Sequence, residues 1–203
     1  MTDDGLRVRK KLATKRDLAE VSFKLAIDRG LDGFIIDDVV KQAGYSRRTF
    51  ANYFSCKEEA VVSSLALSNE KKETNQLVGL VDQLTPLEAI EFFIKKSFSL
   101  NKLNHLHQLI KLSRDFPSLS LYVHAAINDL QIYARESMNQ AYKDTYSKEY
   151  YYLLIGAVFG ALMPLLEGQL SIDIPNHESE SGIENEFNQY IDKTFSFLRK
   201  GFE

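Results

Sequence analysis

Basic, amide and hydroxyl side chains are concentrated in one short segment of the chain, from Ser46 to Lys57. Arginine can hydrogen-bond the edge of guanine in the major groove of DNA, and asparagine can hydrogen-bond adenine. Hydroxyl and ammonium groups can bind backbone phosphates, which fix the register of a protein on a duplex. The candidate nucleic-acid contacts are therefore Ser46, Arg47, Arg48, Thr49, Asn52, Tyr53 and Lys57.

Two short helices must position these side chains, and the sequence predicts one from Ile36 to Ala43 and another from Arg47 to Phe54. Gly44 permits the tight turn between them. Ser46 is a good N-cap for the second helix, whose free amides also suit phosphate. Two phenylalanines of the second helix are four residues apart, so they share one face and pack inward. The spacing is that of a helix-turn-helix, although an exposed helical hairpin with a basic face would show the same turn.

Charge is unevenly distributed along the chain. Residues 1–57 contain 12 Lys and Arg against 8 Asp and Glu, a net charge of +4. The remaining 146 residues contain 13 against 20, a net charge of −7. A basic head next to an acidic body favours contact between the head and a polyanion, although many charge runs are only solvated faces.

Length and composition indicate a globular protein. The 203 residues are 44% hydrophobic and 26% charged, which excludes a disordered, collagen-like or disulfide-stapled chain. The single cysteine, Cys56, excludes an intrachain disulfide and favours a reducing cytoplasm. The amino terminus lacks the apolar core of a signal peptide. The longest apolar stretch, Leu153 to Leu166, has 14 residues. Because about 20 are needed to span a bilayer, we expect no membrane insertion and a cytoplasmic protein.

Apolar residues recur at helical spacing along almost the whole chain, without strand alternation. We therefore predict an all-α fold of about nine helices. Three form an amino-terminal helix-turn-helix head over residues 1–56, and six form a helical body over residues 57–203. The first helix is expected from Arg9 to Arg29, because Gly30 provides a stop. The body helices are expected over Lys57–Val78, Pro86–Ser99, Lys102–Ser113, Pro117–Tyr146, Lys148–Leu170 and Ile183–Lys200.

The sequence lacks catalytic and metal-binding patterns. It has no GxSxG, P-loop or GxGxxG motif, which argues against an enzyme. His105 and His107 are two residues apart and point in different directions on a helix, so we expect no metal site and no cofactor. Cys56 beside Lys57 could be an oxidisable thiol, but a small residue tolerated in a capping turn is the favoured interpretation.

The segment from Ile35 to Glu58, IIDDVVKQAGYSRRTFANYFSCKE, resembles the head of the TetR family of bacterial transcription regulators. The family pattern is Thr-hydrophobic-x-acid-Ile-Ala-x-x-Ala-Gly-Val-Ser-x-x-Thr-Phe-Tyr-x-Tyr-Phe-x-Ser-Lys-Glu. The upstream helix extends the resemblance to about residues 9–62.

Three positions depart from the family pattern. Ile35 replaces Thr, so a side-chain cap of the second helix is lost, and Asp37 or Asp38 is expected to compensate. Ala51 replaces Tyr, which removes one phosphate or base contact. Cys56 replaces Ser or Asn. The first two departures affect individual contacts and not the fold.

The resemblance implies a homodimer that binds a palindromic operator in double-stranded DNA and represses transcription until a small-molecule effector releases it. Two recognition helices would lie about one DNA turn apart, roughly 34–36 Å. An effector bound in the body would shift the fourth helix and change that spacing, which requires different affinities for the two shapes. One alternative is a DNA-binding or protein-partner module that does not regulate transcription through a small ligand. Another is an all-helical enzyme.

The resemblance also suggests a dimer interface on the last two helices and an effector pocket among the middle helices. The stretch from Leu153 to Leu166 is apolar nearly all round, more than the core of one chain needs. The candidate interface residues are Leu153, Gly156, Gly160, Met163, Ile191, Phe195 and Leu198. An aromatic-rich pocket would suit an apolar or aromatic ligand, although each of its candidates is also an ordinary core residue. These candidates are Phe92, Phe98, His105, Leu109, Phe116, Tyr122, Ile127, Tyr133 and Phe159.

Overall fold

The computed structural model of the chain describes residues 3–66, 83–97, 100–143, 145–170 and 180–201. These residues form nine α-helices and a 3-10 turn at Leu31–Gly33, and they include no β-strand, which confirms the predicted all-α fold. The helices are α1 (Asp3–Arg29), α2 (Ile36–Ala43), α3 (Arg47–Ala51), α4 (Lys57–Ala66), α5 (Pro86–Ser97), α6 (Leu100–Asp115), α7 (Pro117–Ala141), α8 (Lys148–Leu166) and α9 (Glu180–Lys200).

Two helix ends differ from the sequence prediction in ways that matter for the surface. α1 begins at Asp3 rather than Arg9, so the basic residues near the amino terminus lie on a helix. α8 ends at Leu166 rather than Leu170. Gly168 follows with a φ of +70°, a left-handed conformation in which glycine commonly terminates helices.

The chain folds into two compact units. The first unit consists of Met1–Ser68 and Gln108–Ala126, and the predicted head lies within it. The second unit consists of Asn69–His107 and Ile127–Glu203. The chain passes between the units inside two helices, after His107 in α6 and after Ala126 in α7. The first unit therefore includes the end of α6 and the beginning of α7 in addition to α1–α4.

Apolar side chains on one face of α1 form the centre of the first unit. Leu18, Ala19, Leu25 and Ala26 are buried at helical spacing. α2, α4 and the 3-10 turn contact α1, and α3 contacts α2. These elements contribute further buried residues, namely Leu31, Phe34, Val39, Phe50, Phe54 and Val61. Full burial of one such large side chain stabilises the fold by about 1.5–3 kcal/mol, so this core fixes α2 and α3 relative to α1.

Two apolar clusters form the core of the second unit. The cluster that joins α5, α8 and α9 consists of Ile94, Val158, Leu162, Leu165, Phe187, Ile191 and Phe195. The cluster that joins α5, α7 and α8 consists of Ala89, Met138, Ala141, Tyr142 and Tyr151. The Tyr142 hydroxyl donates to the Leu84 carbonyl at 2.8 Å, and burial raises the pKa of Tyr142 to about 12.

A buried carboxylate links α5 to α9. Glu91 is 8% exposed and forms ion pairs with Lys95, at 3.0 Å, and with Arg199. Lys95 also pairs with Asp192 on α9, and this hydrogen bond lowers the pKa of Asp192. The four side chains therefore compensate one another's charge where the two helices meet.

Candidate nucleic-acid interface

Gly44 makes the turn between α2 and α3, as the sequence predicts. Its φ of +75° lies in the left-handed region, which glycine adopts without a steric penalty. The Tyr45 amide donates to the Val40 carbonyl at 2.9 Å. The Tyr45 hydroxyl donates to Asp17 Oδ2 at 2.9 Å and so ties the turn to α1. The start of α3 is therefore held in a fixed position on α1.

Side chains cap the starts of both helices of the pair. Ser46 Oγ accepts a hydrogen bond from the Thr49 amide at 3.0 Å and lies 2.9 Å from Thr49 Oγ1. At the start of α2, Asp38 Oδ2 accepts a hydrogen bond from the Ile35 amide at 2.9 Å. A carboxylate at this position supplies the reciprocal half of a capping box. Asp38 thus compensates in part for the missing threonine.

α3 has an apolar face toward the core and a polar face toward solvent. Phe50 and Phe54 are 2% and 3% exposed, with ring centroids 5.4 Å apart, which confirms that they pack inward. The helix ends at Ala51, one turn earlier than predicted, and a turn continues to Phe54. The exposed side chains are Arg47, Arg48, Ala51 and Asn52. The surface that faces away from the core therefore combines guanidinium and amide groups.

The two arginines of α3 differ in their surroundings. Arg47 Nε pairs with the Asp37 carboxylate, and the two side chains remain 68% and 53% exposed. An exposed pair of this kind contributes about 0–1 kcal/mol, so a phosphate or a base can displace the aspartate. Arg48 forms no ion pair with any side chain that the structure describes. Arg48 is the more available of the two for a base contact.

Lys57 is predicted to contact phosphate, but in the structure its ammonium forms hydrogen bonds within the protein. Its ammonium donates to the carbonyls of Leu31, at 2.6 Å, and Phe34, at 3.2 Å. It also lies 5.2 Å from the centroid of the Phe34 ring. Two of its three N–H groups are thus used inside the protein. Lys57 fastens the start of α4 to the 3-10 turn and acts as a positioning residue.

An open groove of about 650 Å³ lies between α1 and the residues that end α3. Asn52 and Tyr53 are among the contacts predicted from the sequence, whereas the other lining residues are not. The lining residues are Arg7, Val8, Lys10, Lys11, Thr14, Asn52 and Tyr53. In the sequence, the cations of the groove form a basic run near the amino terminus. Sequence alone does not distinguish a binding surface of this kind from a solvated face.

Residues near the start of α7 contact the head within the first unit. The Cys56 thiol donates to the Tyr122 hydroxyl, with Sγ and O 3.2 Å apart, and this bond raises the pKa of Tyr122. Cys56 Sγ also accepts a hydrogen bond from the Glu59 amide at 3.4 Å, which is a capping contact. The Phe116 ring packs so closely on Gly30 that an added Cβ would lie 3.3 Å from it. Phe116 and Tyr122, predicted to contact an effector, thus contact residues of the head.

The other candidate effector contacts fall in both units. Leu109 has no exposed surface in the first unit, and Phe98 lies outside the described residues. In the second unit, Phe92 is 41% exposed. The half-buried candidates of that unit are His105, Ile127, Tyr133 and Phe159. Burial lowers the pKa of His105, which favours an uncharged imidazole at neutral pH.

Two residues predicted at the dimer interface are core residues of the protomer instead. Ile191 and Phe195 are 0% exposed in the cluster of α5, α8 and α9. A side chain without exposed surface has none to bury against a second chain, so this part of the expectation is corrected. Leu198 is partly buried and packs against the same cluster.

α8 has an exposed apolar face in addition to its buried one. Leu153 is 74% exposed, Gly156 and Gly160 are exposed, and Met163 is half-buried. Neither glycine has a neighbouring atom within 4 Å of the position of an added Cβ. α8 has 19 residues and is therefore longer than the 14-residue apolar stretch from Leu153 to Leu166. By length and composition it could cross a membrane. Its buried face, however, packs in the core of the second unit, as in a helix of a globular protein.

The chain is similar to known proteins in sequence and in fold. Residues 18–62 match the sequence profile of the family described as bacterial regulatory proteins, tetR family. The fold resembles the crystal structure of a protein from Mesorhizobium loti MAFF303099 assigned to the TetR-family transcriptional regulators. The TM-score is 0.54 and the identity 13%, over 92% of this chain and 96% of that chain. A protein from Clostridium perfringens assigned as a fatty acid metabolism regulator has a TM-score of 0.45 and 17% identity, over 88% and 97% of the two chains. No curated protein is significantly similar in sequence.

Proposed function

We propose that this chain, which belongs to the TetR family of bacterial regulatory proteins, is a homodimeric repressor that binds a palindromic operator and is released by a small-molecule effector. The observation that supports this most directly is the exposed face of α3 and of the turn that follows it, where Arg48 and Asn52 lie opposite the buried Phe50 and Phe54. A helix with these two faces can enter the major groove while its core contacts remain intact. The protein would act in the cytoplasm, where the operator is.

The exposed side chains of α3 have distinct roles in this proposal. Arg48 reads a guanine through O6 and N7, and Asn52 reads an adenine through N6 and N7. Arg47 joins the interface when DNA displaces Asp37. Thr49 and Tyr53 bind backbone phosphates through their hydroxyl groups, and these contacts set the register of the protein on the duplex.

A second copy of the chain would cover the exposed face of α8. Leu153, Gly156 and Gly160 form a narrow apolar surface on which another helix can approach closely. A dimer contains two copies of α3, and paired reading helices of this kind bind half-sites about one DNA turn apart, roughly 34–36 Å. An operator read by two symmetry-related helices is palindromic, because each half-site meets the same residues.

α7 offers a route from the effector to the head. Residues 117–126 belong to the first unit and the later residues of the helix to the second. Tyr122 bonds to Cys56 at the start of α4, so a displacement of α7 reaches the helix that adjoins the head. In this proposal an apolar or aromatic effector is contacted by side chains such as Phe92, His105 and Phe159. The protein must bind this effector more tightly with α7 in one position than with α7 in another.

Selection of bound genomic fragments by the purified protein, followed by sequencing, tests this function. We expect the wild-type protein to enrich fragments that share a two-fold symmetric sequence, and an Arg47→Ala/Arg48→Ala variant to enrich none. The variant removes exposed side chains only, so its thermal unfolding should match that of the wild type.

The same experiment can contradict the proposal. If the wild-type protein enriches no fragments, it is denatured, refolded without any co-purified ligand and selected again. Continued absence of enrichment, or enrichment that the double variant retains, would show that α3 does not read an operator.

A further inference from the structure

We propose that the amino-terminal turns of α1 extend the DNA interface beyond α3. The groove, whose polar lining residues are Arg7, Lys10, Lys11, Thr14, Asn52 and Tyr53, binds backbone phosphates beside the bases that α3 reads. This inference rests on the proposed function, and it adds a second, sequence-independent contact surface to it.

The face of α1 that is buried at Leu18 continues toward the amino terminus as a cationic face. Thr14, Lys11 and Arg7 precede Leu18 by four, seven and eleven residues. At 3.6 residues per turn, all three point within about 40° of the direction of Leu18. Leu18 is 0% exposed in the core of the first unit, whereas Arg7 and Lys11 are exposed. The inward face of α1 thus extends past the apolar core and ends in cations.

The cations of the groove are not neutralised by described neighbours. No acidic side chain that the structure describes forms an ion pair with Arg7, Lys10 or Lys11. Asn52 and Tyr53, on the side of the groove toward α3, add amide and hydroxyl groups that can donate hydrogen bonds. Three cations with adjacent neutral donors suit phosphate oxygens, which only accept hydrogen bonds and bear the negative charge of the duplex.

The groove has a defined position relative to the reading helix. Lys15 lies 5.8 Å from the centroid of the Phe54 ring, and Asp17 accepts the hydroxyl hydrogen of Tyr45. These two contacts fasten α1 to the residues on either side of α3. When α3 lies in the major groove, an element beside it meets the phosphates that border that groove. The backbone of DNA is therefore the partner that the position of the groove favours.

The test compares the wild-type protein with a variant combining Arg7→Gln, Lys10→Gln and Lys11→Gln. Glutamine keeps a long side chain and a high helix propensity while removing the charge. Binding to two duplexes of unrelated sequence, each of about 30 base pairs or roughly three turns, is measured by fluorescence anisotropy. The KCl concentration is varied between roughly 50 and 200 mM.

We expect the variant to bind both duplexes at least about tenfold more weakly at the higher salt concentration, by the same factor for each. The slope of log affinity against log salt concentration should be smaller by about 0.9 for each phosphate that the variant no longer neutralises. All three side chains are exposed, so the melting temperature should not change. The single variants Lys10→Gln and Lys11→Gln provide the same readout if the triple variant unfolds.

The control variant combines Arg16→Gln, Lys24→Gln and Arg29→Gln, which remove the same charge from positions of the same helix outside the groove. It should retain most of the affinity and the wild-type slope. The proposal is overturned if the groove variant behaves like the wild type, or if the control loses as much affinity, since total charge would then explain the effect. If the wild-type protein enriches no fragments in the genomic selection described above, the proposed function itself fails, and that outcome is distinct from both.

Discussion

The carboxylate of Asp37 is paired with Arg47 on the face of α3 that we expect to meet DNA. The substitution Asp37→Asn frees the guanidinium and removes one negative charge from each head. DNA affinity should therefore rise severalfold, and more at low salt than at high salt, because the charges involved are exposed. Anisotropy titrations with one duplex at two salt concentrations measure both effects.

The matched control is Asp32→Asn, which makes the same change of charge in the 3-10 turn, where the structure describes no ion pair. Its effect on affinity should be smaller. Equal gains in the two variants, or weaker binding by Asp37→Asn, would contradict the assignment of Arg47 to the interface.

Lys57 allows a positioning role to be separated from a phosphate contact. The substitution Lys57→Met keeps an apolar stem and leaves the carbonyls of Leu31 and Phe34 without the ammonium. We expect a loss of about 1–3 kcal/mol in the free energy of unfolding, measured in urea, with little change in the salt dependence of DNA binding. Lys41→Met, which removes an exposed cation from α2, should leave stability nearly unchanged. Unchanged stability of Lys57→Met together with a smaller salt slope would identify Lys57 as a phosphate ligand.

At the scale of elements, the ion pairs between α5 and α9 predict a pH dependence. Hydrogen bonding from Lys95 lowers the pKa of Asp192 below that of the unfolded chain, which is about 3.9. The stabilisation is therefore fully present above about pH 4 and is lost as the pH falls through the lower folded pKa. Asp192 is exposed, so the substitution Asp192→Asn should reduce stability at pH 7 by at most about 1 kcal/mol.

Urea unfolding of the wild type and Asp192→Asn at pH 7 and pH 3 checks this prediction. The difference between their midpoints should shrink at the lower pH. Asp129→Asn, an exposed position on α7 outside the network, should show no such difference. A midpoint difference that is the same at both pH values would mean that the pair with Lys95 does not stabilise the fold.

At the scale of the whole molecule, the two exposed glycines of α8 distinguish a dimer interface from a solvated face. Gly156→Ala and Gly160→Ala should each stabilise the helix by about 1 kcal/mol, because alanine has the higher helix propensity. No neighbouring atom of the protomer lies within 4 Å of either added methyl group. The protomer should therefore become more stable in urea. The dimer should dissociate more readily, because the methyl groups separate the paired helices, and sedimentation equilibrium measures this.

Gly5→Ala on α1 is the control for the dimer prediction, since its added methyl also meets no atom. It should leave dimerisation unchanged. If Gly156→Ala and Gly160→Ala stabilise the protomer without weakening the dimer, the second chain does not bind at this face of α8.

Short-range chemistry explains which parts of the fold could be predicted from the sequence. The turn at Gly44, the cap at Ser46 and the inward packing of Phe50 and Phe54 depend on residues within a few positions of one another, and each is confirmed. The predicted start of α1 is too late, because basic residues near a terminus do not indicate whether the chain is helical.

Contacts between distant segments could not be predicted in the same way. Lys57 bonds to carbonyls more than twenty residues earlier, and Tyr122 bonds to Cys56 across 66 positions. Ile191 has the apolar character expected of either a core or an interface, and only the packing of α9 decides for the core. Composition and periodicity predict that a residue is buried, but not which residues bury it.

Base reading by α3 is tested most directly by measuring the affinity of the wild type and of Arg48→Ala for every single-base-pair variant of a selected operator. We expect positions at which the wild type discriminates between base pairs by about 1–3 kcal/mol and Arg48→Ala does not. These positions should occur twice, related by the two-fold axis and about one turn apart. If Arg48→Ala instead loses affinity uniformly at all positions, Arg48 contacts phosphates, and α3 does not read bases through it.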